Sequence, residues 1–251
     1  MSRRILKKTA KIALVTVFWL LVWQIAAMAV GKELLLPPPL SVFKTLIALM
    51  GTGRFWLSLG STLLRVLIGF VLGIAAGTLL GALTGSVPFL DALLSPLRSI
   101  IKATPVTSFI VLLLLYISPV RTPIAVAFLM VTPITWANVA KGVTTTDPQL
   151  LEMAKTFRFG RARTLGSVYA PSVLPHFLTA ATTGFGFAWK SCVAAEVIAM
   201  SKHSIGKALY ESKLYLETPE LFAWTAAIII ISMALEEILV KGIGRLTNDK
   251  R

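Results

Sequence analysis

Two ionisable side chains, Lys190 and Glu196, interrupt the otherwise apolar run FAWKSCVAAEVIA. A lysine in such a run is an electrostatic match for an anion such as a sulfonate or nitrate, and an ionisable group at membrane depth is a functional candidate by default. The structural alternative is that Lys190 neutralises Glu196 or an acid elsewhere. On a helix, Trp189 and Glu196 share a face while Lys190 is rotated well away from Glu196, which weakens a direct pair between them. Trp189 reads more readily as packing than as a ligand. Arg65, in a separate apolar run, either snorkels to headgroups or lines a polar path. Lys190, Glu196, Trp189 and Arg65 are therefore the candidates for a translocation pathway.

Other chemistries find little support. Cys192 is the one cysteine and His176 and His203 the only histidines, so a disulfide is excluded and a catalytic metal site has few ligands to draw on. A membrane-embedded enzyme needs a nucleophile with a base, or a metal cluster, and the apolar runs are poor in His, Asp and Cys. No G-x-x-x-x-G-K-[ST] phosphate loop occurs, so the chain cannot cradle ATP phosphates in that way. The net charge of +14 would point to nucleic acid in a soluble protein. Here most Lys and Arg flank apolar runs, where they set topology and meet anionic headgroups, and nucleic-acid binding is set aside.

The elements that must position these residues are membrane helices. The chain is 56% hydrophobic and 14% charged, with a mean hydropathy of +0.80, which leaves too little polar material for a water-facing surface. About six spans are expected in one transmembrane domain over 1–251: 12–30, about 57–85, a proline-broken one within 87–117, 123–140, about 176–200 and 221–240. The first follows a basic start and lacks a small-residue cleavage site, so it reads as retained. Pro37, Pro38 and Pro39 precede a short piece, 42–50, expected along the interface. Gly69, Gly73, Gly77 and Gly81 recur every fourth residue, the small-residue device for close helix packing. Pro96 and Pro105 are expected to break the third span and Pro133 to kink the fourth. Residues 201–220 read as an outer loop, and the tail KGIGRLTNDKR as basic and frayed.

Charge orients the spans. With the N-terminus inside, internal segments hold fourteen Lys and Arg and external ones seven, which favours both termini and the polar segment 144–175 on the cytoplasmic side. In that segment Asp147 is an N-cap and Pro148 a first helical residue. Leu150, Leu151, Ala154 and Phe157 give the short helix one apolar flank, and Gly160 ends it. Such a helix either lies on the membrane or docks in a partner's groove.

The segment resembles the cytoplasmic loop of binding-protein-dependent ABC importer permeases, in which Glu-Ala-Ala is followed by Gly and then by Ile-x-Leu-Pro. This chain has Glu152-Met153-Ala154, Arg158 at the glycine position and Val168-Tyr169-Ala170-Pro171 at the close. Arg158 and Ala170 depart from the pattern, and Gly160, two residues on, is the candidate for the turn. The stretches LLLPPPLSVFKTL, SLGSTLLRVLIGFVLGIAAGTLLGAL, PSVLPHFLTAATTGFGFAWKSCVAAEVIA and SIGKALYESKLYLETPELFAWT look like the nitrate, sulfonate and taurine branch.

The resemblance implies an all-α, type I ABC importer permease in a bacterial cytoplasmic membrane. Its implied partners are a second copy of itself, two cytoplasmic ATPase subunits that bind ATP and magnesium, and an extracytoplasmic solute-binding protein. The short helix becomes a coupling helix that meets the ATPase through Leu151, Glu152, Met153, Ala154, Phe157, Arg158 and Gly160. The chain itself holds no cofactor and is no enzyme. Lys190 leans toward an anionic solute. Relatives of the branch also move vitamin precursors, and an ATP-independent secondary transporter, which would favour paired charges in several spans and an internal repeat, is the weaker reading.

Overall fold

The computed structural model describes the backbone of residues 2–248 and the side chains of 10 and 13–242. In order, its helices are α1 (Ser2–Val30), α2 (Pro39–Met50), α3 (Gly53–Ser86), α4 (Pro88–Ala103), α5 (Val106–Leu114), α6 (Thr122–Thr144), α7 (Pro148–Thr156), α8 (Arg161–Thr164), α9 (Ala170–Ala199), α10 (Ile205–Leu214) and α11 (Thr218–Asn248). A single wide π turn, Leu165–Tyr169, joins α8 directly to α9, and no strand occurs among the described residues.

The centre of the fold is a sandwich of α3, α6 and α9. The α3 glycines turn toward α6: a Cβ added at Gly69, Gly73, Gly77, Gly81 or Gly85 would stand 2.6–2.8 Å from Ala127, Val131, Thr132, Val139 or Val143 respectively. Both partners advance together along the chain, so α3 and α6 run parallel with their backbones nearly touching. Close approach of this kind replaces the hydrophobic effect, which lipid removes, with dispersion and backbone contact. On the other side α9 runs antiparallel to α6, with Gly142 over Val173 and Gly184 against Val131.

Two parallel neighbours require the chain to recross the molecule between them, and 87–121 does so. It does so bent: α4 and α5 meet at 96°, and the break falls at Thr104-Pro105, where Pro105 is the N-cap of α5. Pro96, expected to break the span as well, lies inside an uninterrupted α4. Arg98 of α4 stacks on the Trp136 ring of α6, 5.3 Å from guanidinium carbon to centroid, and Trp136 donates from Nε1 to Thr84 Oγ1 of α3 at 2.8 Å. Further along, Ile110 of α5 packs with Val126 and Ala195.

Among the described residues, four helices (α1, α3, α6 and α11) are each long and apolar enough to cross a membrane, and the α4–α5 pair makes a fifth crossing if taken together. The remaining expected span, 176–200, is α9, 30 residues long and so about 45 Å, but outside that apolar set. It is flanked by α3, α5, α6, α10 and α11, so protein rather than lipid meets much of its surface and buries Glu196, Gly184 and Gly186, while Lys190 stays exposed. α1 is the opposite case: over Ala13–Val30 almost none of it is buried, with Ala27 covered and a Trp23–Phe222 ring pair reaching α11.

Several boundaries differ from expectation. The proline run ends with Pro39 as the first residue of α2, a position that needs no N–H. α9 begins at Ala170 rather than near His176, because Pro171 sits in its first turn and Pro175 lies within it. The supposed outer loop contains α10, whose N-cap Ser204 accepts from the Lys207 backbone N–H at 3.0 Å. α11 continues through the expected frayed tail as far as Asn248. Lys250 and Arg251 lie outside the described residues, as do the side chains of Arg3, Arg4, Lys7, Lys8, Lys11 and Arg245.

At Gly77 an added Cβ would meet the Thr132 carbonyl at 2.6 Å, whereas at Gly60 on the same helix it would meet nothing within 4 Å. Gly77→Ala is expected to cost about 1–3 kcal/mol through overpacking, and Gly60→Ala to be neutral or stabilising by up to about 1 kcal/mol. Thermal unfolding of the two variants in detergent measures the contrast.

Candidate functional site

Two regions hold the chemically interesting residues, one at each end of the α3–α6–α9 core. At the first end α6 passes into the loop that carries α7. Asp147 caps α7 by accepting from the Gln149 backbone N–H at 2.8 Å, and Pro148 follows at the first position. The far side of the helix closes in a Schellman turn: Phe159 N–H donates to the Ala154 carbonyl at 2.8 Å and Arg158 N–H to that of Lys155 at 3.0 Å. The residue this turn places in the left-handed region is Arg158, with φ +52°. Gly160 has φ −66° and is the N-cap of α8, so it does not make the turn. The glycine of the family motif thus corresponds to a real conformational demand, and here an arginine meets it at some cost.

The apolar residues of α7 form an arc of which the chain covers one edge. Ala154 is buried and Leu151 half-buried, while Leu150, Met153 and Phe157 stay exposed, Phe157 at 70%. Beside them Arg163 lies over the Phe159 ring, 4.2 Å from guanidinium carbon to centroid, and Glu152 is open to solvent. The result is an apolar patch edged by one acid and several arginines. Behind it, α8, the π turn and α9 form one continuous helical rod over 161–199. Pro171 and Pro175 have no N–H to give to the preceding turn, and the wide turn carries the rod into this stretch, Ala170 N–H bonding back to the Leu165 carbonyl.

At the opposite end Arg65 and Glu196 meet. Arg65 Nη1 donates to Glu196 Oε1 at 2.7 Å, and its Nη2 to the Lys202 carbonyl at 2.8 Å. The second carboxylate oxygen accepts from Thr62 Oγ1 at 2.9 Å and from the Gly206 backbone N–H at 3.3 Å. Thr62 in turn accepts from the Ile205 N–H at 3.1 Å. Glu196 is completely buried and Arg65 nearly so, and every charge in the group is matched by hydrogen bonds. Gly206 is needed because a Cβ there would lie 2.5 Å from Glu196 Cβ. The turn between α9 and α10 has Met200 at φ +50° and His203 at φ +49°, and Ser201 Oγ ties it to the Pro119 carbonyl at 2.6 Å.

The four pathway candidates therefore part company. Arg65 and Glu196 come together in this clamp, which links α3, α9 and α10. Trp189 is buried in the core with Phe55, Phe185 and Trp224. Lys190 points the other way and lines a cavity of about 330 Å³ between α9 and α11 that none of the other three reaches. Lys190 and Glu196 form no ion pair, as their helical phase requires. Sequence reasoning missed Thr62, Gly206 and the Lys202 carbonyl; of these only the start of α10 had a signal, a Ser N-cap at 204.

The chain matches the family described as binding-protein-dependent transport system inner membrane component over residues 69–248. It is 26% identical over 243 residues to the taurine transport system permease protein of Escherichia coli K12, covering 94% of this chain and 86% of that protein. The putative aliphatic sulfonates transport permease protein of Bacillus subtilis 168 is 25% identical, with coverages of 80% and 74%. The bicarbonate transport system permease protein of Synechocystis is 26% identical, with coverages of 77% and 73%. Among solved structures, a chain of the inward-facing MetNI methionine ABC transporter superposes with a TM-score of 0.59 at 16% identity, over 77% of this chain and 93% of that one.

Two variants probe the geometry. Arg158→Gly relieves the left-handed arginine and is expected to gain about 1 kcal/mol locally, a roughly fivefold slowing of amide exchange over 157–159, while Arg158→Val hastens it. Arg65→Met strands a buried carboxylate and is expected to cost about 3–5 kcal/mol, of which Arg65→Met/Glu196→Gln recovers a large part; unfolding of both in detergent reads the difference.

Proposed function

The chain belongs to the binding-protein-dependent transport system inner membrane component family, a multi-pass permease subunit and not itself an enzyme, and from that premise we propose that it carries small solutes with an anionic group, of the sulfonate, taurine and bicarbonate type, into the cell. Two copies form the translocating unit. Two ATPase subunits bind ATP and magnesium and supply the energy, and an extracytoplasmic binding protein delivers the solute. The α7 end and both termini face the cytoplasm, in keeping with the positive-inside distribution of Lys and Arg.

The observation that carries this reading is the loop at 147–164. A helix capped at both ends holds Leu150, Met153 and Phe157 out of its own fold, the arrangement of a knob that seats in a partner's groove. Leu151 and Ala154 fix the knob to the chain, Glu152 and Arg158 edge it, and Gly160 starts the rod that continues as α9. Movement of the ATPase groove displaces the knob, and the rod carries that displacement into the helix that bears Lys190. The named relatives support the solute class, since taurine, aliphatic sulfonates and bicarbonate are all small and each carries an anionic group.

Glu152→Lys reverses the one acidic charge on the knob without touching its packing. In vesicles holding the full transporter, solute-stimulated ATPase activity and ATP-driven uptake are expected to fall about 5- to 150-fold, the range of a coupling of 1–3 kcal/mol, with membrane insertion intact. Unchanged coupling would remove this role from the loop.

A further inference from the structure

The cavity that Lys190 lines has a second charged wall, Glu236 of α11. The Glu236 carboxylate rests against bare backbone: a Cβ added to Gly186 would stand 2.9 Å from its Oε1. Gly186 and Lys190 are four apart on α9 and share a face, so the ammonium is rooted one turn, about 5–6 Å, from the carboxylate's seat. Yet the two are not closed on each other. Among the described residues the ion pairs are Arg54–Glu211, Arg65–Glu196, Arg98–Asp91, Lys207–Glu211 and Lys241–Glu237, and neither Lys190 nor Glu236 is in any of them.

Unpaired charges within membrane-spanning helices are expensive, and here two of opposite sign face one cavity with room between them. Thr182 and Thr183, two turns from Lys190, line the same wall. The Thr182 hydroxyl donates to the helix carbonyls of Leu178 and Thr179, at 3.1 and 3.0 Å, so what it can offer a ligand is an acceptor. The cavity thus presents one cationic donor at Lys190 and acceptors one to two turns away along the same α9 face.

Resting on the reading that this chain moves small solutes with an anionic head, we infer that this cavity is a solute site for zwitterions: Lys190 takes the anionic head, and Glu236 with Thr182 takes an ammonium a few ångströms away. A simple anion satisfies Lys190 and is repelled by Glu236. An uncharged solute leaves both charges unpaired, the situation in which a polar site discriminates most strongly. The class is the aminosulfonates and compact amino acids.

Equilibrium binding of labelled taurine to the full chain in lipid nanodiscs, with ethanesulfonate as the competitor lacking the amine, tests this. Wild-type chain is expected to bind taurine and to need about tenfold or more excess ethanesulfonate for displacement. Lys190→Gln and Glu236→Gln should each weaken taurine binding by about tenfold or more, and Glu236→Gln should bring the two solutes within about twofold of each other. Gly186→Ala keeps both charges but shifts the carboxylate, and should weaken taurine alone. Absence of taurine binding, equal competition by ethanesulfonate in the wild type, or variants that leave taurine unaffected overturn the site. So does dissociation of the two copies on size exclusion by both charge variants, which would mean that Lys190 and Glu236 pair between copies. Equal binding of the two sulfonates overturns only the zwitterion site and leaves anion import standing; import itself fails if the assembled transporter takes up neither solute.

Discussion

The contact on which the other helices depend is the seam between α3 and α6. A glycine every fourth residue removes the side chains that would hold the two backbones apart, and the helices lie parallel because the partners advance together. Once that seam exists the path of the chain is constrained. It has to recross between α3 and α6, which it does through the bent α4–α5 pair, and it has to reverse after α6, which puts the α7 loop at one end and α9 antiparallel beside the seam. A membrane offers helices no general hydrophobic reward for association, so a specific seam of this kind carries more of the architecture than a similar stripe would in water.

The Arg65–Glu196 clamp completes the arrangement at the opposite end. It joins α3 to α9 and α10 by a charge pair and four further hydrogen bonds in a buried setting. A pair of this kind is poor evidence of added stability, because desolvation consumes most of the attraction. What it does supply is register: only one rotation of α9 presents Glu196 to Arg65, and that rotation fixes Trp189 inward and Lys190 toward α11.

Much of this was legible in the residues. The glycine period, the Asp147-Pro148 helix start, the basic loop and the helical phase that separates Lys190 from Glu196 all have direct local causes. The misses have causes as well. α10 was hidden because its charges suggested a loop, although its buried Ile205, Ala208 and Ser212 rest on neighbours distant in sequence. Pro96 suggested a break because the sequence does not show which helix interiors tolerate a missing N–H. The partners of Glu196 come from two other elements, α3 and α10, so no local spacing could reveal them. Arg158 is the converse case: the motif marked the position as unusual, and only the backbone showed that the arginine adopts glycine's conformation itself rather than passing the turn to Gly160.

The wide turn at Leu165–Tyr169 bears on how such a chain can change over time. A π turn is an α-helix holding one extra residue, and each residue of an α-helix accounts for a rotation of about 100°. A single deletion there would restore regular winding and swing the whole α7 surface through roughly that angle relative to α9, with every residue of the surface still present. The orientation of the loop is thus set by chain length at one spot, independently of its composition, and a related chain could keep every residue of the motif and still present the surface in a different direction.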